Sequence, residues 1–327
     1  MVRHFRNPPV GQPENAFSCP PILDLSPHSV MTKHHVFTQV WQTPAVRNVR
    51  RLASVKRWYR WFTAGKRRLP NYLVAGAQKS GTTSLWAYLS EHPNVEPPMC
   101  KEMSFFDRNY QRGLNWYRMH FPLASDGPAT TLTGESTAYY MFHPLAPERI
   151  ARTLPNVKII LMLRNPVDRA FSHYQLKVRR DREPLSFEEA IDAEEERLKG
   201  EHKKLLANPR YYSPNHDRYS YLARGIYADQ ISRWQQFIPP ERLLILESGE
   251  FFKQTDQIFA QVVDFLGLPS WAPRQFGNRF PGRYQERMNN AARERLIDYF
   301  RPHNERLYQL LGRRFSWDSA GKEKQAA

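Results

Sequence analysis

The chain has 327 residues, with 48 Lys and Arg against 32 Asp and Glu and a formal net charge of +16. Hydrophobic residues make up 41% and aromatics 13%, enough for a substantial core, which excludes collagen-like, wholly disordered and coiled-coil chains. The charge is uneven: residues 1–70 hold twelve basic residues against Glu14 and Asp24, so this segment carries +10 and the rest of the chain +6. A nucleic-acid partner inferred from net charge would misplace the signal, and none is expected. No apolar run approaches the ~18 residues of a membrane-spanning helix. The N-terminus lacks the apolar stretch of a secretory signal. Cys19 and Cys100 are too few for a disulfide framework. No Cys/His spacing of a metal site occurs, so no metal is expected. A reducing cytoplasm is the expected compartment, with a membrane-peripheral placement beside it.

Residues 1–45, rich in Pro, His, Asn and Ser, read as a loosely ordered extension. Residues 46–69 interleave Trp58, Tyr59, Trp61 and Phe62 with basic residues and contain no acidic one. Two readings stay open for this segment: a helix on an anionic membrane surface or polyanion, or a short helix packing its aromatics on the body. From Pro70 the pattern alternates strand and helix, as one domain to about residue 318, before a flexible tail at 319–327. Strands are expected at 71–75, 131–135, 157–163 and 242–246. Helices are expected after the first strand to Pro93, at 144–153, from Pro166, at 186–204, 228–237, 255–266 and 290–311. This alternation implies an α/β fold with a mostly parallel sheet flanked by helices.

The strongest feature follows the first strand. In GAQKSGTTS, residues 76–84, a glycine turn feeds a helix start, which aims backbone N–H groups and the helix dipole at an anion. Gly81 allows close approach, Thr82, Thr83 and Ser84 supply hydroxyls, and Lys79 adds a point charge. The run nearly matches the P-loop G-x-x-x-x-G-K-[ST], but Thr82 stands where that lysine belongs. A phosphate cradle of another kind is expected.

These residues resemble the 5′-phosphosulfate loop of sulfotransferases that use 3′-phosphoadenylyl sulfate (PAPS). RNPVDRAFSHY (164–174) resembles their 3′-phosphate motif, and KEMSFFD (101–107) is similar to the KE-x-x-FFD segment of the heparan-sulfate-type branch. GESTAYY (134–140), HPLAPERI (143–150), PGRYQ (281–285) and FSW (315–317) extend the likeness over about residues 70–318. The resemblance implies a P-loop-like sulfotransferase fold and transfer of a sulfuryl group from PAPS to a hydroxyl or amine. It places Lys79, Ser80, Gly81, Thr82 and Thr83 on the 5′-phosphosulfate, and Arg164 and Ser172 on the 3′-phosphate. It places Gly282 and Arg283 in a closing loop whose lysine is here Pro281, and Glu102 at the catalytic base. Relatives often have His and Lys at the positions of Ser104 and Ser136.

The acceptor expected is a glycan, a glycolipid or a small molecule. Glu102, enclosed beside Phe105 and Phe106, would take the acceptor proton, and Lys79 with the loop N–H groups would stabilise the leaving phosphate. Arg164 ends a buried strand, where ligands bind in open α/β sheets. Lys101 reads as solvated and His173 as packing. Arg224, Gly225 and Tyr227 line the acceptor cleft or simply open a helix. Tyr139 and Tyr140 read as core or cleft wall. Two other functions stay open: a kinase with a degenerate loop, for which Asp168 is the nearest metal-holding candidate, and a polyanion-binding protein without catalysis.

Overall fold

The computed structural model describes residues 57–124, 131–276 and 287–317. Its centre is a four-stranded, all-parallel sheet: β1 (Tyr72–Gly76), β2 (Gly134–Ser136), β3 (Lys158–Leu163) and β4 (Leu243–Glu247), in spatial order β2-β1-β3-β4. The main helices are α1 (Thr82–Glu91), α2 (Ala146–Thr153), α3 (Pro166–Val178), α4 (Tyr227–Gln235), α5 (Thr255–Leu266) and α6 (Asn290–Leu311).

Strand side chains alternate between two separate cores. Leu73 and Ala75 of β1, with Ile159, Leu161 and Leu163 of β3, face α2, α4 and the end of α6. Tyr72, Val74, Ile160 and Met162 face α1 and α5. Both faces of the central strands are therefore apolar, as a doubly covered parallel sheet requires. Each buried side chain of this size contributes about 1.5–3 kcal/mol. The register also depends on a missing side chain, because a Cβ on Gly134 would lie 2.2 Å from the ring of Tyr72 on β1. A third cluster joins α3 to the first half of α6 through Val167, Phe171, Leu296 and Phe300.

Local signals explain most boundaries. Asn165 caps α3 by accepting the Val167 N–H at 3.0 Å, and Pro166 occupies the first turn, where its missing donor costs nothing. The charged stretch 186–204, expected as one helix, forms three short ones: Phe187–Asp192, Glu194–Leu198 and Glu201–Ala207. The last break falls at Gly200, in the left-handed region at φ 75°.

Strand order places the site. From β1 the chain runs to β2 on one side, then crosses to β3 on the other. The connections after β1 and β3 thus diverge, and the crevice beyond their carboxyl ends is where an open α/β sheet takes a ligand.

Candidate active site

β1 ends at Gly76, and the chain turns through residues 77–81 into α1. Lys79 (φ 73°) and Gly81 (φ 90°) both adopt left-handed backbone. For a lysine this costs of order 1–3 kcal/mol. Gly81 is the N-cap of α1, and no side chain caps the helix. The Ser84 N–H turns back to the Gly81 carbonyl at 3.0 Å, which leaves the N–H groups of Thr82 and Thr83 without an acceptor in the helix, and the macrodipole places about half a positive charge there. A Cβ on Gly81 would also sit 3.0 Å from the Phe252 ring. The turn is therefore a cradle that only glycine leaves open.

Two guanidinium groups hold this loop. Arg164, directly after β3, donates from Nη1 to the Lys79 carbonyl at 3.0 Å, and its own carbonyl accepts from the Tyr227 hydroxyl at 2.9 Å. Arg224 is buried and donates from Nη1 to Gln78 Oε1 at 2.7 Å. Its remaining donors reach Ser220 Oγ at 2.7 Å and the Asp217 carbonyl at 2.7 Å. Ser172 lies buried on α3, in the helix that follows Arg164. His173 beside it is fully buried against Tyr221, with both ring nitrogens unpartnered. Burial, then Lys177, Arg224, Arg169 and Lys79, hold its pKa well below the usual histidine range, which makes it a poor base.

Glu102 approaches from the segment between α1 and β2. Its N–H donates at 3.0 Å to the carbonyl of Ser136, the last residue of β2. Glu102 (φ 57°) and Ser104 (φ 51°) are both left-handed, so the turn carries backbone strain. The expected apolar enclosure is not what surrounds the carboxylate. Phe105 and Phe106 turn into the core against Tyr117 and Tyr140, whereas the Glu102 side chain is 50% exposed.

Lys101 is the residue that sequence reasoning missed. It is 5% exposed rather than solvated, and its Nζ lies 2.7 Å from Thr83 Oγ1 and 3.5 Å from Glu102 Oε1. One ammonium thus links the first turn of α1 to the candidate base. Tyr140 was legible as core, but its hydroxyl has a further task. It accepts the Phe105 N–H at 2.8 Å and donates to Glu135 Oε1 at 2.7 Å. Glu135 is fully buried, also accepts from Tyr117 and Thr137, and has its pKa raised by burial. This network fixes the turn that carries Glu102.

Of the other candidates, Gly282 and Arg283 lie outside the described residues. Asp168 faces Arg293 at 2.8 Å, as an ion pair between α3 and α6. Gly225 packs against Phe300, which a Cβ would approach to 2.7 Å, so its smallness serves packing. Tyr139 donates to or accepts from His216 Nδ1 at 2.7 Å beneath the Arg224 guanidinium. Among the described residues no group of three or more His, Cys, Asp or Glu side chains is placed to hold a metal ion.

Comparison with known proteins bears on the same region. The family profile described as a sulfotransferase domain matches residues 69–303. The chain is 28% identical over 316 residues to a membrane-associated sulfotransferase, kil1, of Dictyostelium discoideum, covering 77% of this chain and 67% of that one. It is 31% identical over 276 residues to heparan sulfate glucosamine 3-O-sulfotransferase 6 of Homo sapiens, covering 77% and 75%. The crystal structure of a sulfotransferase from Alicyclobacillus acidocaldarius superposes with a TM-score of 0.59 at 32% identity, over 76% of this chain and 99% of that one. The expected cytoplasmic compartment is overturned, because a similar protein is membrane-associated by name.

Proposed function

We propose the working of the site from one premise, that this chain belongs to the sulfotransferase-domain family. It is a PAPS-dependent sulfotransferase, so the kinase and the non-catalytic readings are set aside. The residues present fit the donor nucleotide: a glycine cradle at a helix N-terminus, Lys79, and the guanidinium groups of the half-buried Arg164 and the buried Arg224 beside the loop. PAPS, when bound, supplies a sulfuryl group already activated for transfer.

In this reading Lys79, Ser80, Gly81, Thr82 and Thr83 hold the 5′-phosphosulfate, and Arg164 and Ser172 hold the 3′-phosphate. Gly282 and Arg283 complete the cofactor site. Glu102 takes the proton from the acceptor oxygen as the new oxygen–sulfur bond forms. Lys79 and the α1 N–H groups neutralise the charge left on the phosphate as the old sulfur–oxygen bond breaks. Lys101 keeps the two halves of the site in register. General-base help of this kind is worth about 10²–10⁴ in rate. Half exposure of Glu102 suits a base that must meet an incoming acceptor. The acceptor is a carbohydrate hydroxyl or amine, a choice supported by the heparan-sulfate relative.

The observation that supports this reading is the Thr83–Lys101–Glu102 chain, in which one ammonium contacts both the first turn of α1 and the Glu102 carboxylate. Calorimetry with adenosine 3′,5′-bisphosphate tests it. Binding is expected for the wild type and, undiminished, for Glu102→Gln, which should lose turnover at least a hundredfold. Lys79→Ala should weaken the bisphosphate. A wild type that ignores the bisphosphate, or a fully active Glu102→Gln, overturns the assignment.

A further inference from the structure

Residues 57–62 form a helical stretch that enters the body just before β1, and they expose four aromatic side chains. Trp58 is 62% exposed, Tyr59 55%, Trp61 43% and Phe62 78%. The stretch is not loose. Arg60 donates to the carbonyls of Met119 and Phe121 at 2.5 and 2.7 Å, and Arg67 donates to Phe121 at 2.8 Å. The face toward the body is thus occupied by Arg60, and the rings are left outward. Trp58 and Phe62, one turn apart, stack at 5.9 Å, with Trp61 next to them.

Along the chain the charge here has a single sign: no acidic residue occurs between Asp24 and Glu91, and the described part of the segment holds Arg57, Arg60, Lys66, Arg67 and Arg68. Arg57 and Lys66 are exposed beside the rings. We propose that this face docks peripherally on an anionic lipid surface, with Trp58, Trp61 and Phe62 at headgroup depth and the basic residues on lipid phosphates. A polyanionic glycan would engage the charges but has no use for a contiguous apolar patch. A second copy of the chain would bring like charges together. The segment leads into the amino end of β1, while the cofactor cradle follows its carboxyl end. Docking therefore leaves the catalytic crevice facing away from the lipid.

The test uses the full chain and sedimentation with two vesicle types: phosphatidylcholine alone, and phosphatidylcholine with phosphatidylglycerol at about three to one. Salt-sensitive binding to the mixed vesicles is expected, with a blue shift of tryptophan emission. The variant Trp58→Ser/Trp61→Ser/Phe62→Ser should bind at least about tenfold more weakly. Its melting temperature and bisphosphate affinity should not change. Phe62→Ser alone should give a smaller loss, and it stands in should the triple variant not fold. Absence of vesicle binding, or equal binding by these variants, overturns the proposal. So does heparin binding that survives the triple substitution in a protein that ignores vesicles.

Discussion

Lys101 illustrates chemistry set by a single residue's surroundings. Its ammonium donates to the Thr83 hydroxyl at 2.7 Å, so the hydroxyl proton is left to point elsewhere, toward whatever the cradle holds. The same ammonium lies 3.5 Å from the carboxylate of Glu102. Hydrogen bonds of charged groups contribute about 1.5–3 kcal/mol, or roughly 10–100-fold in a rate or binding constant. Lys101→Met should therefore raise KM for PAPS and lower kcat, each by about tenfold, with Lys101→Arg restoring part of the loss. Steady-state kinetics checks this, and unchanged parameters would make Lys101 a packing residue. The motif KE was visible in the sequence, but burial of its lysine was not. That burial follows from Thr83, eighteen positions earlier, arriving at the same place through the fold.

At the scale of elements, the cradle joins β1 to α1 only because Gly81 adopts φ 90° and carries no Cβ, which would lie 3.0 Å from the Phe252 ring. Gly81→Ala should cost about 1–2 kcal/mol for the left-handed backbone. It should also weaken bisphosphate binding more than it lowers stability, because displacing the Phe252 contact tilts the first turn of α1. Denaturant melts and calorimetry on one preparation check the contrast. Element boundaries were largely legible, since capping and apolar period act within a few residues. Asn165 and Pro166 start α3, and α5 and α6 span the stretches their patterns indicate. Residues 186–204 were not legible as three helices. High charge is compatible with helix throughout, and the break at Gly200 rests on one backbone angle.

The whole molecule buries titratable groups of both kinds, and they oppose each other in pH. Burial lifts Asp107 and Glu194 to about 7 and raises Glu135. A carboxyl with a raised native pKa is an increasing liability as pH climbs from its ordinary value to its native one. Burial and neighbouring arginines push His143 down to about 3, and burial and Arg224 push His216 down to about 2. Such histidines favour the native state above their ordinary 6.5, and that contribution is lost as pH falls. Asp107 offers a clean test: Oδ1 accepts the Arg108 N–H at 2.7 Å while Oδ2 is buried without a partner. Asp107→Asn should stabilise the protein above pH about 7 and give no gain near pH 4. Urea melts at the two pH values check it, and a gain that is larger in acid would refute the sign.

By itself the sequence determined the fold class, the order of the elements, the glycine turn after β1 and the family's motifs. These depend on local pattern and on residues adjacent in the chain. The tertiary structure alone decided which charged groups meet. It seated Arg164 and Arg224 on the loop, buried Lys101 between Thr83 and Glu102, and turned Phe105 and Phe106 away from the Glu102 carboxylate. It also left the aromatic rings of residues 58–62 outward, a matter on which two sequence readings had stayed open. Burial is a property of how distant segments pack, and a lysine or a tryptophan carries no mark in the sequence of which side of that packing it will occupy.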